Sequence, residues 1–276
     1  MSLDRLNIIY TYKYTDGWDK GLDNPKSVKV FRKSVEMASR WYAPKIICDN
    51  NSVDFIKSLD IPNLLIETND EISKYDSPNW GLMKLISIKN MNVPHIHIDM
   101  DTILLKKIDF DNSIDVIWGN AESSLLYDKG HYSSFKYIHD NYLKTAEEFE
   151  PNLTNQGFFD FAHVPNNSLL IINNPTLTQN VINDLFLRVK DYYKIYNGRL
   201  NMFMEQFLFM NLMKFNNGNV DYMPRRGEFH VSDYYKDKIM NCEIPISDFE
   251  ENGWMHFEHF NKYSMNEINW ILNQIN

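Results

Sequence analysis

The feature that most constrains this chain is the alternation of two hydrophobic periods through its first third. Residues 7–12, Asn-Ile-Ile-Tyr-Thr-Tyr, form a short apolar run suited to a buried strand. Val28, Phe31, Val35, Ala38 and Tyr42 then recur at helical spacing, which predicts a helix that stops before Pro44. Residues 45–49 read as a second strand and residues 52–59 as a helix with Ser52 as its N-cap. Residues 63–67 predict a strand, 79–91 a helix, and 94–99 a strand that ends in acid. Strands and helices that alternate in this way predict an α/β fold with a mainly parallel central sheet flanked by helices. Ligands of such sheets lie at the carboxyl ends of the strands, where the loops converge. Asp99 and Asp101 stand at such an end.

The second half is less regular. Residues 115–118 and 157–164 read as strands, and 132–149 as an exposed helix of mixed charge. Residues 178–196 predict a long helix. Residues 201–215 predict another, apolar around most of its circumference and therefore expected deep in the core. With no repeat, low-complexity tract or linker in view, residues 1–276 are expected to form a single domain.

Composition narrows the function classes. The chain carries 28 Lys and Arg against 37 Asp and Glu, a formal net charge of -9. That balance disfavours a nucleic-acid partner, which needs a basic face, and an anionic membrane surface. No run approaches the roughly 20 apolar residues of a membrane span. Two cysteines, Cys48 and Cys242, are too few for a disulfide scaffold or a thiolate zinc site. The expected location is the cytoplasm, with peripheral membrane attachment as the alternative.

The chemistry concentrates in His95-Ile96-His97-Ile98-Asp99-Met100-Asp101-Thr102. Two carboxylates one residue apart at a strand end can share a divalent cation, Mn2+ or Mg2+. A hard cation with open positions then suits the oxygens of a diphosphate. His95 and His97 alternate with the acids. At a rise of about 3.3 Å per residue, however, His95 lies too far from Asp101 to share one ion, so both histidines are expected to be structural or supporting. Arg225 and Arg226, the one adjacent arginine pair, could hold an anionic acceptor or phosphate, but a solvated loop is the better explanation.

An apolar strand running into Asp-x-Asp-Thr resembles the metal-binding motif of GT-A fold glycosyltransferases. The haloacid-dehalogenase phosphatases also use Asp-x-Asp, but they want it near the N-terminus, with a later acidic pair that is not found. Further segments are similar to the glycogenin and lipopolysaccharide galactosyltransferase group, and they fall in that group's order. Trp80-Gly81-Leu82-Met83-Lys84-Leu85 resembles the segment whose Lys faces the donor pocket. Asn155-Gln156-Gly157-Phe158-Phe159 resembles the Asn-x-Gly strand that contacts the donor sugar. Glu205-Gln206 resembles the acid–Gln pair beside the anomeric carbon. His256-Phe257 with Lys262 keeps the spacing of a C-terminal segment whose His is the third metal ligand and whose Lys contacts the diphosphate.

The resemblance implies a metal-dependent transfer of a sugar from a nucleoside-diphosphate sugar to an acceptor hydroxyl, with retention as that group's usual outcome. The acceptor would be a glycan, a lipid-linked sugar or a small molecule. Asp99, Asp101 and His256 would hold the metal. Lys84, Asp99, Asn155, Gly157 and Lys262, with Tyr10 and Thr11 at the base or ribose, would contact the donor. Glu205 and Gln206 would flank the reacting carbon, and Glu205 would be the first candidate base if the enzyme inverts. One departure is His259 where that group has Gly, which makes it an alternative to His256 as metal ligand. The rival readings are a non-catalytic binding protein on the same fold and a sugar nucleotidyltransferase. The latter would need a Gly-rich first loop, where residues 10–17 offer only Gly17.

Overall fold

Strand β1 (Asn7–Tyr12) forms where the apolar run predicts it, with Ile8, Ile9 and Tyr10 fully buried. The computed structural model describes residues 6–14, 21–75, 80–123, 163–189, 203–223, 253–257 and 263–275. Helix α1 (Pro25–Ala38) follows, with Asn24 as its N-cap and Pro25 in the first turn. Then come β2 (Ala43–Cys48), α2 (Val53–Ser58), β3 (Leu65–Thr68), α3 (Trp80–Lys89), β4 (His95–Ile98) and β5 (Thr102–Leu104). The later elements are β6 (Val116–Ser123), β7 (His163–Ile172), α4 (Pro175–Val189), a π-helix (Phe203–Leu208), α5 (Phe209–Phe215), β8 (Val220–Tyr222), β9 (Trp254–His256) and α6 (Met265–Gln274).

The chain divides into two compact units. One comprises Met1–Ser77, His95–Asp111 and Pro224–Asn276; the other comprises Pro78–Pro94 and Asn112–Met223. In the first, β2 pairs in parallel with β1 and β3, and β1 pairs in parallel with β4. In the second, β6 pairs with β7 antiparallel and with β8 in parallel. The fold is thus α/β with mainly parallel strand pairing and flanking helices, as the alternating periods predict.

A separate two-stranded ribbon in the first unit bears directly on the site. Strands β5 and β9 pair antiparallel, with Thr102 opposite His256 and Leu104 opposite Trp254. The ribbon is seated in a core of Val30 and Met37 from α1, Ile103, Met255, Phe257, and Ile268, Ile271 and Leu272 from α6. Helix α6 starts at a capping box in which Ser264 and Glu267 satisfy each other's backbone N–H. Gly253 precedes β9 at φ 88, a conformation that costs glycine little. Its carbonyl accepts from Leu105 N at 2.8 Å, extending the pairing by one step.

Several expectations shift. Helix α1 ends at Ala38 rather than Tyr42, and Tyr42 turns inward to exchange hydrogen bonds with Ile108. Ser52 stands at the N-cap position of α2, but its side chain does not cap the helix: its hydroxyl bonds the Asp49 carboxylate and accepts from Tyr14 N at 2.7 Å. Of the strand expected at residues 157–164, residues 163 and 164 belong to β7 (His163–Ile172), and 157–162 lie outside the described residues. Pro165-Asn166-Asn167-Ser168 carries turn chemistry, but pairing with β6 overrides it. The apolar helix at 201–215 is present from Phe203, its first part wound as a π-helix. The expected helix at 132–149 lies outside the described residues.

Candidate functional site

Strand β4 is buried along its whole length, and the chain leaves it in a tight turn. Thr102 N donates to Asp99 O at 3.0 Å, which closes the turn around Asp99, Met100 and Asp101. Asp101 O accepts from Phe257 N at 2.8 Å, so β9 grips the same turn from its far side. This pairing carries His256, distant in sequence, to a point where its Nε2 is 3.4 Å from Asp101 Oδ1. Asp99, Asp101 and His256 each present one ligand atom, and the three atoms lie within 4.8 Å of one another. Both carboxylates are partly exposed while His256 is buried, so the group is open on one side.

The donor set fits a divalent cation. Ligand atoms about 2.1 Å from one ion stand about 3 Å apart when adjacent and about 4.2 Å apart when opposite. The observed separations reach that geometry with shifts of well under the length of a bond. Two carboxylates and one imidazole suit Mn2+ or Mg2+ better than a thiophilic metal, and the open side leaves positions for further oxygen ligands. His259 and Lys262 lie outside the described residues.

Behind the turn, the two strand histidines are interior. His95 and His97 have essentially no exposure. His97 Nε2 lies 2.9 Å from Thr11 Oγ1, tying the ends of β1 and β4 together. Thr11 keeps some exposed surface. Tyr10 has none: its ring meets Phe31 edge-on at 5.0 Å and its hydroxyl lies 2.9 Å from Ser34 Oγ. Burial pushes its phenol pKa well above the usual value. Tyr10 is therefore packed into the interior, with its hydroxyl directed to Ser34.

The second unit holds a different cluster. Helix α3 is buried from Gly81 to Ile88, so Lys84 projects from an apolar helix into the interior. It is 4% exposed, its Nζ lies 2.5 Å from Glu205 Oε1, and Glu205 itself is 0% exposed. Lys84 Nζ also donates to Asn167 O at 3.2 Å and sits 5.2 Å from the Trp80 ring centroid. Asn167 Nδ2 donates to Glu205 O at 2.6 Å, locking β7 to the π-helix. Gln206, beside Glu205, is also buried. Single-turn π segments are frequent at functional sites, and Glu205 lies within this one.

The structure thus brings Asp99 and Asp101 together with His256, and Lys84 together with Glu205. Asn155 and Gly157 lie outside the described residues. The residue that sequence reasoning missed is Asn167. In Asn166-Asn167-Ser168-Leu169-Leu170 the Asn-x-small-apolar-apolar order, close to the pattern assigned to Asn155, places Asn166 and not Asn167 in the Asn position. The preceding proline and paired asparagines mask it as a turn.

The sequence from residue 34 to 276 matches the model of DUF6734, described as a family of unknown function. The chain belongs to that family. Asp99, Asp101, His256, Lys84 and Glu205 all fall inside the DUF6734 match, whereas Tyr10 and Thr11 precede it. A sequence search of the curated proteins finds no match. Among solved structures, the DUF6734 chain is similar to mouse xyloside xylosyltransferase 1 in its apo form, with a TM-score of 0.51 at 9% identity. That match covers 94% of this chain and 99% of the other. The glycosyltransferase GlyE of Streptococcus pneumoniae TIGR4 aligns at 10% identity and a TM-score of 0.49, over 99% of this chain and 62% of that one. At 9% identity the likeness to the xylosyltransferase is one of fold alone, a mixed α/β fold of the GT-A kind with mainly parallel strands. Among the described residues, no helix is long and apolar enough to cross a membrane.

Proposed function

We propose that this protein is a glycosyltransferase that moves a sugar from a nucleoside-diphosphate sugar to an acceptor hydroxyl, dependent on Mn2+ or Mg2+. In this reading residues 1–276 act as one catalytic domain. The observation that carries the reading is the convergence of Asp99, Asp101 and His256 within 4.8 Å, at the carboxyl end of a buried strand in a GT-A fold. The resemblance to the glycogenin and lipopolysaccharide galactosyltransferase group supplies the remaining roles.

Asp99, Asp101 and His256 would hold the cation. Bound there, it would offset the negative charge that develops on the diphosphate leaving group, the main electrostatic demand of the reaction. Lys262 would add a cationic contact to the same oxygens, and Thr11 would meet the ribose or base. Asn155 and Gly157 would contact the donor sugar. Lys84, Glu205 and Gln206 are assigned to the sugar end of the donor, and Asn167 joins them because it bonds both Lys84 and Glu205.

The geometry of Glu205 favours retention over inversion. A general base must reach the acceptor proton directly or through one water. Glu205 is fully buried and its carboxylate is engaged by Lys84 at 2.5 Å. That arrangement suits a fixed dipole beside the sugar and not a proton acceptor open to an incoming hydroxyl.

The test is Asp101→Ala, assayed for transfer and for donor hydrolysis over a Mn2+ titration. The reading expects both activities to fall by at least about 100-fold, with the residual rate indifferent to Mn2+; for comparison, even outer-shell partners of metal ligands cost about 10–100-fold. Activity that persists with unchanged metal dependence would overturn it.

A further inference from the structure

Ser34 is out of place on the face it occupies. The inward face of α1 carries Val30, Phe31, Val35, Met37 and Ala38, and Ser34 among them is 0% exposed. A serine inside a helix commonly turns its hydroxyl back to the carbonyl four residues earlier. Ser34 instead reaches across to Thr102 O in the ribbon strand β5. A carbonyl oxygen only accepts, so the single hydroxyl proton of Ser34 is committed to Thr102. Tyr10, 2.9 Å away on the other side, must then donate to Ser34 Oγ. The three groups form a one-way relay from the Tyr10 hydroxyl through the Ser34 hydroxyl to the Thr102 carbonyl. Burial keeps the phenol protonated and therefore a donor.

The strand's own geometry explains the need for this relay. Successive carbonyls of an extended strand point to opposite edges. Asp101 O points to β9, where it accepts from Phe257 N. Thr102 O therefore points the other way, towards α1, and Thr102 is 0% exposed, so water does not reach it. A buried backbone carbonyl requires a donor, and Ser34 is that donor. The backbone through both acids is thus tethered at Thr102 N to Asp99 O, at Asp101 O to Phe257 N, and at Thr102 O to Ser34.

We propose that Tyr10 and Ser34 are positioning residues for the divalent-cation site. Their relay fixes the peptide that follows Asp101 and so sets the separation between the Asp101 carboxylate and the His256 imidazole. This inference rests on the metal reading above and gives Tyr10 a role that does not involve touching the nucleotide.

The experiment is a Mn2+ titration of the full chain, following the free-ion signal by electron paramagnetic resonance, with circular dichroism to establish folding. Asp101→Ala serves as the ligand control. Tyr42→Phe is the packing control, because it also removes a buried hydroxyl from the same unit, one that bonds Ile108 instead. Ser34→Ala is expected to weaken Mn2+ binding about tenfold, the lower end of the range for partners that orient metal ligands. Tyr10→Phe, which removes only the outer donor, is expected to weaken it about threefold on the same scale. The double variant should be no weaker than Ser34→Ala, and Tyr42→Phe should bind as the wild type does.

Wild-type affinity in Ser34→Ala overturns the relay, and so does an equal loss in Ser34→Ala and Tyr42→Phe. Should Ser34→Ala fail to fold, Tyr10→Phe decides, and wild-type affinity there overturns the relay. The parent reading fails separately: if the wild type binds no Mn2+, or Asp101→Ala binds it equally well, the metal site is absent and the relay falls with it.

Discussion

Two polar clusters among the described residues settle their charge in opposite ways. In the second unit, Lys84 and Glu205 neutralise each other at 2.5 Å, with side-chain exposures of 5% and 0%. In the first, two carboxylates and an imidazole lie within 4.8 Å on a partly exposed turn, and their formal charge is negative whether or not His256 is protonated. A closed pair of opposite charges fixes the elements that carry it, here α3 and the π-helix. An open group weighted towards acids has its lone pairs directed at a shared point and is completed by a cation. Buried position alone therefore does not identify the reactive group. The balance of charge and the presence of an open side mark which of the two clusters would recruit a cation.

This contrast is broken most forcefully at the ion pair. Lys84→Ala or Glu205→Ala leaves one buried charge without its partner, and each is expected to lower stability by about 3–5 kcal/mol in urea denaturation. Replacing both residues together with methionine should cost much less than the sum, because no charge is then stranded. A loss below about 1 kcal/mol in either single variant would mean that water reaches the pair.

The acid cluster should behave in the reverse manner. Asp101→Asn and His256→Ala are each expected to weaken Mn2+ binding by at least about 10–100-fold, while for Asp101→Asn, at a partly exposed position, stability in the absence of metal changes by less than about 1 kcal/mol. Calorimetric titration with paired melts checks both halves. An Asp101→Asn variant that lost several kcal/mol of stability and kept its Mn2+ affinity would make this cluster structural and not a cation site.

The smallest effect concerns Cys48, buried in β2, whose thiol is pushed up to about 12 by burial, with nearby Asp49 contributing. A thiol near the ordinary value of about 8.5 when unfolded and higher when folded contributes stability that is present below the unfolded value. That contribution is lost as pH rises towards the folded one. Stability should therefore decline above about pH 8.5. In a Cys242→Ser background, native protein at pH 8 should resist alkylation that denatured protein accepts. Rapid labelling of the native protein would contradict the burial.

Much of the first unit was legible because local pattern and tertiary structure agree there. The apolar strand feeding Asp99 and Asp101, and the helical spacing from Val28 onward, both appear in the structure. The convergence of Asp99, Asp101 and His256 was legible only through resemblance, because the β5–β9 pairing that produces it joins residues far apart in sequence. Strand β7 was hidden by Pro165 and its two asparagines, whose local chemistry favours a turn until β6 supplies partners. Asn167 was missed for the same reason. Ser34 gave no signal at all: a lone serine on a helix shows its purpose only once Thr102 O is seen opposite it.

The central claim is that the turn at Asp99–Asp101 and His256 bind a divalent cation together with a nucleoside diphosphate. The most direct measurement is the melting temperature of the wild type and of Asp101→Ala with Mn2+ alone, with uridine or guanosine diphosphate alone, and with both. The account predicts that Mn2+ and one of these diphosphates together raise the wild-type midpoint by several degrees, more than the sum of the separate effects, since ligand binding stabilises by mass action. Asp101→Ala should show no such joint gain. A wild type that is unmoved by every combination, or an Asp101→Ala variant stabilised as strongly as the wild type, would contradict it.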